Sequence, residues 1–344
     1  MPDRAGEWTL SASSFNWTRD ILRAHESPLD IVAGVIAPRV CTLLEIEAGQ
    51  CFRTFPSMAP AEVDRMRHAV EAAGARISIV GLGLDDWVTP KDRRSEQERK
   101  DFLTPQLHAA QRLGAFGVRL PFGQPGSALL SELRPLLDEL DLVLYQEIQG
   151  HQGPGTAEYD ETIEALETFA DPRLRLVLDT SLVTPQLPVS YLQALRQSDL
   201  PTTLVDQVSA DWGSPQTTAA VQQCLAEGRV PPTAMALFMT MAIRFGTRTV
   251  ADLEPLLPHV GAVHLKFWDL DDADRRVTAP IVDLGAGLDR HGYRGTLCSE
   301  WGGHDWWAGR EGALEMTRDH LELVADVLDL PGTGQSPRHS TVGA

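Results

Sequence analysis

Eight short apolar runs recur along the chain: WTLSAS at 8–13, TLLEIE at 42–47, ISIVGLG at 77–83, FGVRLPF at 116–122, LVLYQEI at 142–148, LRLVLDT at 174–180, VGAVHLKF at 260–267 and GTLCSEW at 295–301. Most are dense in Val, Ile and Leu rather than strictly alternating, as parallel strands buried on both faces should be. Between most of them, apolar residues return at helical spacing. Residues 59–73 carry Val63, Met66 and Val70; 96–113 and 126–140 are similar; 159–170 places Ile163, Leu166 and Phe169 on one face. Residues 253–257 and 281–291 precede the last two strands. Gly74, Gly114, Gly261 and Gly292 stand where a helix would hand over to a strand.

Strand and helix alternating eight times predict an α/β fold, a (β/α)8 TIM barrel over residues 1–330. An open doubly wound sheet is the alternative, and Ile31–Ile36 competes with Trp8–Ser13 for the first strand. One interval is too long. Asp179 and His264 are 85 residues apart, against 32 from Glu147 to Asp179 and 36 from His264 to Glu300. A strand–helix unit needs about 30 residues, so an insertion is expected between strands six and seven, at about 185–247. Its Met-rich helix, 231–245, reads as a lid, a subunit contact or an additional core helix. Residues 331–344 have almost no apolar content and predict a disordered tail.

Charge narrows the partners. Lys and Arg number 30 against 48 Asp and Glu, a formal net charge of −18. Such a field repels phosphate backbones and anionic lipid, so neither nucleic acid nor a membrane surface is expected as a partner. Cys41, Cys51, Cys224 and Cys298 form no CxxC pair, which fits reduced buried thiols. The N-terminus MPDRAGEWTL lacks an apolar signal core, and no uninterrupted apolar stretch of about 18 residues occurs. A cytoplasmic location is expected.

In a barrel the chemistry sits where strands end at their C-termini. Those ends supply Glu147, Asp179, His264 and Glu300 on strands five to eight. Singly, each has an ordinary explanation: Asp179 as a cap, His264 as a hydrogen-bonded core residue. Together they place three carboxylates and one imidazole at the rim of a dry core, where carboxylates need a partner or a metal. Three hard oxygens and one nitrogen suit one divalent ion, Mn2+ first, with Mg2+, Co2+ or Zn2+ as alternatives. His151 is a candidate general base or an idle loop residue. Lys266 is a candidate for stabilising an enolate oxygen, or a partner of Asp269 or Glu147. Arg119 reads as a substrate ligand or a bridge to Glu47, and Arg53, His304 and Trp306 as substrate-binding positions. Asp85 and Asp86 read as a solvated turn, and Gly81 and Gly83 as too weak for a phosphate cradle.

The segments YQEIQG around Glu147, LVLDTS around Asp179, VHLKFWD around His264 and GYRGTLCSEWGG around Glu300 resemble the sugar isomerase/epimerase superfamily, the xylose-isomerase-like TIM barrels. The resemblance spans about residues 8–325. It implies a metal held by Glu147, Asp179, His264 and Glu300, with Glu147 and Glu300 as acid and base on opposite faces of a keto sugar. The chain departs from the epimerase pattern at Leu182 and Leu270, where epimerases carry a histidine and an arginine that hold substrate. The long interval after strand six, the HLKFW segment and the SEWGGH segment are similar to the catalytic α subunit of bacterial C-glycoside deglycosidases. Those enzymes are metal-dependent barrels paired with a small β subunit. They act on 3-oxo-glycosides, where a base removes a proton beside the ketone and the aglycone leaves. The expectation is therefore a metal-dependent sugar isomerase or epimerase, with the deglycosidase α subunit, a lyase, as the alternative. The partner expected is a small carbohydrate or glycoside, with a homo-oligomer or a small β subunit as the protein partner. A barrel that has lost its chemistry is disfavoured by the intact quartet, and a DNA-binding barrel by the charge.

Overall fold

Eight parallel strands close into a barrel in the computed structural model, which describes residues 8–23 and 26–331. They are β1 (Trp8–Ser13), β2 (Leu43–Glu47), β3 (Arg76–Gly81), β4 (Gly117–Pro121), β5 (Val143–Ile148), β6 (Leu174–Asp179), β7 (Val260–Phe267) and β8 (Gly295–Trp301). Each pairs in parallel with its sequence neighbours, and β1 closes the ring against β8. The fold is a TIM barrel, as the apolar runs predict. From residue 332 on, the expected tail lies outside the described residues.

Two local expectations change. Ile31–Ile36 does not compete for a strand: Asp30–Ile36 is a helical turn that buries Ile31, Val32 and Ile36, while Trp8–Ser13 pairs with both β2 and β8. Gly74, Gly114 and Gly292 do take left-handed conformations after helices, but Gly261 lies inside β7, where a Cβ would strike the Tyr145 ring.

The outer helices follow the expected register: α1 (Pro60–Ala72), α2 (Glu96–Leu113), α3 (Gly126–Leu140), α4 (Ala157–Phe169) and, later, Thr278–Arg290 and Ala313–Leu328. Helix α2 opens with a reciprocal cap in which Ser95 accepts from the Glu98 backbone and the Glu98 side chain accepts in return. Asp86 is not a solvated turn residue. It accepts from the buried Arg99 at 2.8 Å and from Gln124 at 3.0 Å, tying the loop after β3 to the starts of α2 and α3.

Strand periodicity sorts the barrel interior into layers. Residues two apart share a face. Tyr145 therefore lies below Glu147, Val177 below Asp179, Ala262 below His264 and Ile79 below Gly81. Ile79, Val177, Ala262 and Tyr145 pack into an apolar plug in the barrel's lower half. The same alternation lifts the charged residues towards the C-terminal mouth.

Between β6 and β7 the chain runs through four α-helices: α5 (Val189–Arg196), α6 (Thr202–Ala210), α7 (Pro215–Ala226) and α8 (Met235–Arg244). They build a hydrophobic cluster of their own around Tyr191, Phe238, Met241 and Phe245, joined by Trp268 from the β7 end. The Met-rich helix thus has a packing role through Phe238 and Met241, and its C-terminal end also reaches the barrel mouth. The return strand is pinned there. Gly246 donates to the Ser181 carbonyl at 2.7 Å, and Arg248 donates to that of Leu182 at 3.0 Å. A Cβ on Gly246 would overlap the carbonyl oxygens of Gly150 and Leu182, which are backbone and cannot swing away.

Gly246→Ala is expected to cost about 1–3 kcal/mol by this overlap and to loosen residues 185–247 while the barrel stays folded. Faster proteolysis within that segment, with unchanged far-ultraviolet circular dichroism, is the expected result; wild-type resistance would show that the pinning is not tight.

Candidate metal centre and active site

Glu147, Asp179, His264 and Glu300 meet at the barrel mouth, their donor atoms all within 4.8 Å of one another. Each side chain stands on the inward face of its strand, with the apolar plug beneath and packed strands beside it. All four are buried, His264 and Asp179 completely. His264 Nδ1 lies 2.8 Å from Glu147 Oε1, 2.8 Å from Glu300 Oε2 and 4.0 Å from Asp179 Oδ2. One ring nitrogen has a single hydrogen or a single lone pair, so it cannot satisfy two carboxylate oxygens at once. Asp179 Oδ1 accepts the Ser181 backbone N–H at 2.7 Å, whereas Asp179 Oδ2 and Glu300 Oε2 are buried without a formed hydrogen bond. Three buried carboxylates converging on one imidazole nitrogen, with Asp179 Oδ2 left without a hydrogen bond, fit a divalent cation.

Two cations frame the quartet. Lys266, two residues beyond His264 and on the same inward face, places Nζ 3.2 Å from Glu300 and 3.9 Å from Asp179. It therefore pairs with neither Asp269 nor Glu147. Its ammonium also lies over the Phe15 ring at 4.6 Å. Arg119 does bridge to Glu47, and in addition binds Glu147 and reaches Glu45 at 2.8 Å. Five carboxylates thus face two permanent cations, a formal excess of three negative charges with all five ionised and His264 neutral.

Titration follows from this balance. Burial works against a charged His264, but Glu45, Glu300 and Glu147 overcome it and hold its pKa well above 6.5. Burial pushes Asp179 up to about 7; Lys266 opposes this, and Glu300 and Glu147 reinforce it. Burial also disfavours charge on Glu147 and Glu300, yet Arg119 and His264 hold Glu147 below the usual carboxylate range, and Lys266 and His264 do the same for Glu300. Lys266 is held above its ordinary value by Glu300 and Asp179 despite burial, so it stays charged.

A cavity of about 710 Å³ opens above the quartet. Glu147, Glu300, Lys266, Arg119 and Glu47 line its floor, and Phe15, Phe122 and Trp268 its walls. His151, Gln149 and Gln152 stand on the rim, beside Ile243 and Arg244 from the end of α8. His151 is exposed, and partial desolvation keeps its pKa below 6.5, against the pull of the Met241 carbonyl.

Other expected substrate positions lie elsewhere. Arg53 is exposed, and its backbone N–H donates to Glu62 at 2.9 Å. His304 is buried, its Nδ1 2.9 Å from the Trp301 carbonyl. Trp306 packs against Tyr191 and Trp268, and its indole N–H donates to Ser190 at 3.1 Å. None of the three lines the cavity. Leu182 is fully buried and Leu270 packs on the core, so both are packing positions here. The structure adds two residues, Glu45 and Glu47. Their signal was the pair of glutamates two apart in LLEIE, which an otherwise apolar strand must turn to one face.

No protein-family profile matches the chain. Among curated proteins, it is 27% identical over 303 residues, 82% of each chain, to the 3'-dehydrocarminate deglycosidase alpha subunit of a Microbacterium species. It is 26% identical over 301 residues, 86% of this chain and 85% of the other, to a C-glycoside deglycosidase alpha subunit of Arthrobacter globiformis. Among solved structures it superposes on D-allulose 3-epimerase from Methylomonas sp. with a TM-score of 0.53 and 12% identity, covering 93% and 97% of the two chains. It superposes on 3-keto-D-glucoside 4-epimerase from E. coli with a TM-score of 0.52 and 11% identity, covering 93% and 99%. The structural likenesses show the barrel; the curated relatives, matched over more than four-fifths of this chain, are named α subunits of deglycosidases. Among the described residues, no helix is long and apolar enough to cross a membrane.

Asp179→Ala is expected to keep the fold and lose the ion: elemental analysis should find about one divalent metal per wild-type chain and none tightly held by the variant. Retention of the ion in the variant would dissolve the quartet. Metal uptake should also release protons, because Asp179 and His264 must both be deprotonated to bind. Apparent affinity should then rise from pH 5.5 to 7.5, by about tenfold per unit for each proton displaced. Chelator-competition titrations at several pH values give this slope, and a flat profile would refute the linkage.

Proposed function

We propose that this chain is the catalytic α subunit of a metal-dependent C-glycoside deglycosidase, a lyase that acts on a 3-oxo-glycoside. The observation that carries the reading is the arrangement of the cavity. A histidine whose pKa is kept below 6.5 and a lysine held in its charged form both line it, while the two epimerase-type polar positions are the packed leucines 182 and 270. The likeness to named α subunits over more than four-fifths of the chain supports it.

A divalent ion held by Glu147, Asp179, His264 and Glu300, Mn2+ by preference, would polarise a ketone and its neighbouring hydroxyl and so acidify the adjoining C–H. His151 takes the proton from the carbon between the ketone and the glycosidic carbon. The electron pair of that C–H bond becomes a carbon–carbon double bond to the glycosidic carbon. The glycosidic bond breaks, its electron pair leaves with the aglycone carbon, and that carbon is protonated by the His151 imidazolium, directly or through water, which returns His151 to its neutral form. Lys266 stabilises the negative charge that develops on the substrate oxygen. Arg119 keeps Glu147 ionised and aimed into the site. Phe15, Phe122 and Trp268 provide the apolar faces against which a sugar ring and an aromatic aglycone pack. The small β subunit is the proposed protein partner.

The alternative, an epimerase, needs Glu147 or Glu300 to donate a proton. Each is ion-paired, Glu147 to Arg119 and Glu300 to Lys266, and both are held ionised. That favours the lyase.

The chain, supplied with Mn2+ and combined with a small subunit encoded beside it, is expected to release aglycone from a 3-oxo-C-glycoside, measured by chromatography, and to leave ketohexoses unchanged. Epimerisation of a ketohexose without cleavage would overturn the lyase and restore the epimerase. His151→Ala should keep its metal and lower turnover by about 10²–10⁴. With His151 as the base, kcat/KM should fall on the acid side with an apparent pKa below 6.5, because protonation removes the acceptor. That limb should vanish in the variant; an unchanged rate would remove His151 from the mechanism.

A further inference from the structure

We propose that Glu45 is the positioning residue of the candidate metal centre: by accepting the Nε2–H of His264, it selects the imidazole tautomer whose Nδ1 lone pair faces Glu147, Asp179 and Glu300. The inference rests on the metal reading of the quartet and is independent of the substrate class.

His264 is fully buried between two sets of carboxylates. On the Nδ1 side are the three quartet carboxylates. On the Nε2 side, Glu45 presents Oε1 and Oε2, each at 3.1 Å. An ionised carboxylate can only accept a hydrogen bond. Nε2 therefore carries a hydrogen whether or not Nδ1 also does, and a ring that gives up its Nδ1 proton to an ion keeps Nε2–H and has its lone pair on Nδ1. That lone pair faces carboxylate oxygens, an arrangement that a proton or a metal ion on Nδ1 makes favourable. Glu45 is itself held in place: Arg119 Nε donates to its Oε1 at 2.8 Å, and the side chain is 1% exposed. Without Glu45, the ring could place its hydrogen on Nδ1 and donate to Glu147 at 2.8 Å, closing the quartet with a hydrogen bond in place of an ion. Ligating histidines commonly donate their second ring N–H to a carboxylate, which fixes ring orientation and raises ligand basicity.

The same assignment decides between two groupings around the ring. Glu45, His264 and Cys298 also lie within ligand distance of one another. A hydrogen on Nε2, bonded to Glu45, denies that side to an ion and commits the ring to the quartet.

The test measures Mn2+ dissociation constants by chelator competition for the wild type, Glu45→Ala, Glu45→Gln and Glu47→Gln. Glu45→Ala should weaken binding by about 10–100-fold. Glu45→Gln keeps an accepting oxygen and should lose clearly less. Glu47→Gln removes the same charge from the same cluster without touching His264, and should behave like Glu45→Gln. In the Zn2+-loaded wild type, long-range ¹H–¹⁵N spectra should show His264, identified by its loss in His264→Gln, with its hydrogen on Nε2. Equal losses in the Ala and Gln variants, or an equal loss in Glu47→Gln, would reduce Glu45 to bulk charge and overturn the proposal. A hydrogen on Nδ1 would overturn it as well, and this spectrum decides even if Glu45→Ala fails to fold. Absence of aglycone release would bear on the lyase alone, since no substrate enters these measurements.

Discussion

The structure depends on how an excess of negative charge is kept inside a dry barrel. Five carboxylates stand over an apolar plug, and burying even one ion without compensation is costly. Arg119 and Lys266 offset part of the charge. The rest falls on a single imidazole, whose two ring nitrogens face four carboxylate oxygens within 3.1 Å. The imbalance is local, and on the proposed reading a divalent ion among these oxygens would offset it.

Strand parity makes this arrangement possible, and parity is what the sequence displays. A run such as LRLVLDT reads as a strand from its apolar density, and its last acid then falls at the mouth. All eight strands and the quartet are legible for that reason. Glu45 and Glu47 are hidden in the sequence for a topological reason: they lie on β2, three strands before the quartet begins. The closed ring brings β2 across to His264, and sequence order carries no sign of that distance. Lys266 is legible as a candidate because it lies two residues from His264, but which acid it pairs with depends on the register of β7 against β6 and β8.

The misplaced substrate positions have a different cause. Arg53, His304 and Trp306 all follow strand ends, so a linear reading puts them at the mouth. His304 and Trp306 instead turn inward under the rim. Trp306 joins Tyr191 and Trp268 in the aromatic seam that holds the four helices between β6 and β7 to the barrel. Trp268, one residue beyond β7, takes the cavity wall that Trp306 was expected to provide. Aromatic side chains in loops can serve a pocket or a packing seam equally well by composition. Only the course of the backbone separates the two.

That seam divides the work between floor and rim. The floor residues sit on hydrogen-bonded strands, and the carboxylates are fixed from several sides, so their geometry is set by the barrel. The rim is assembled from the loop after β5 and the end of α8, pinned where Gly246 meets Gly150 and Leu182. His151 is on that loop, and the Met241 carbonyl of α8 reaches it. On the proposed reading, the proton acceptor is therefore positioned by the helical crossover and the ion by the barrel. A change in the crossover can move the base and the walls of the cavity relative to a fixed centre. On the proposed reading, this separates the acidifying step, common to sugar isomerases and lyases, from the choice of bond that breaks. The first belongs to the strands, and the second to how α8 and the β5 loop hold the substrate over them.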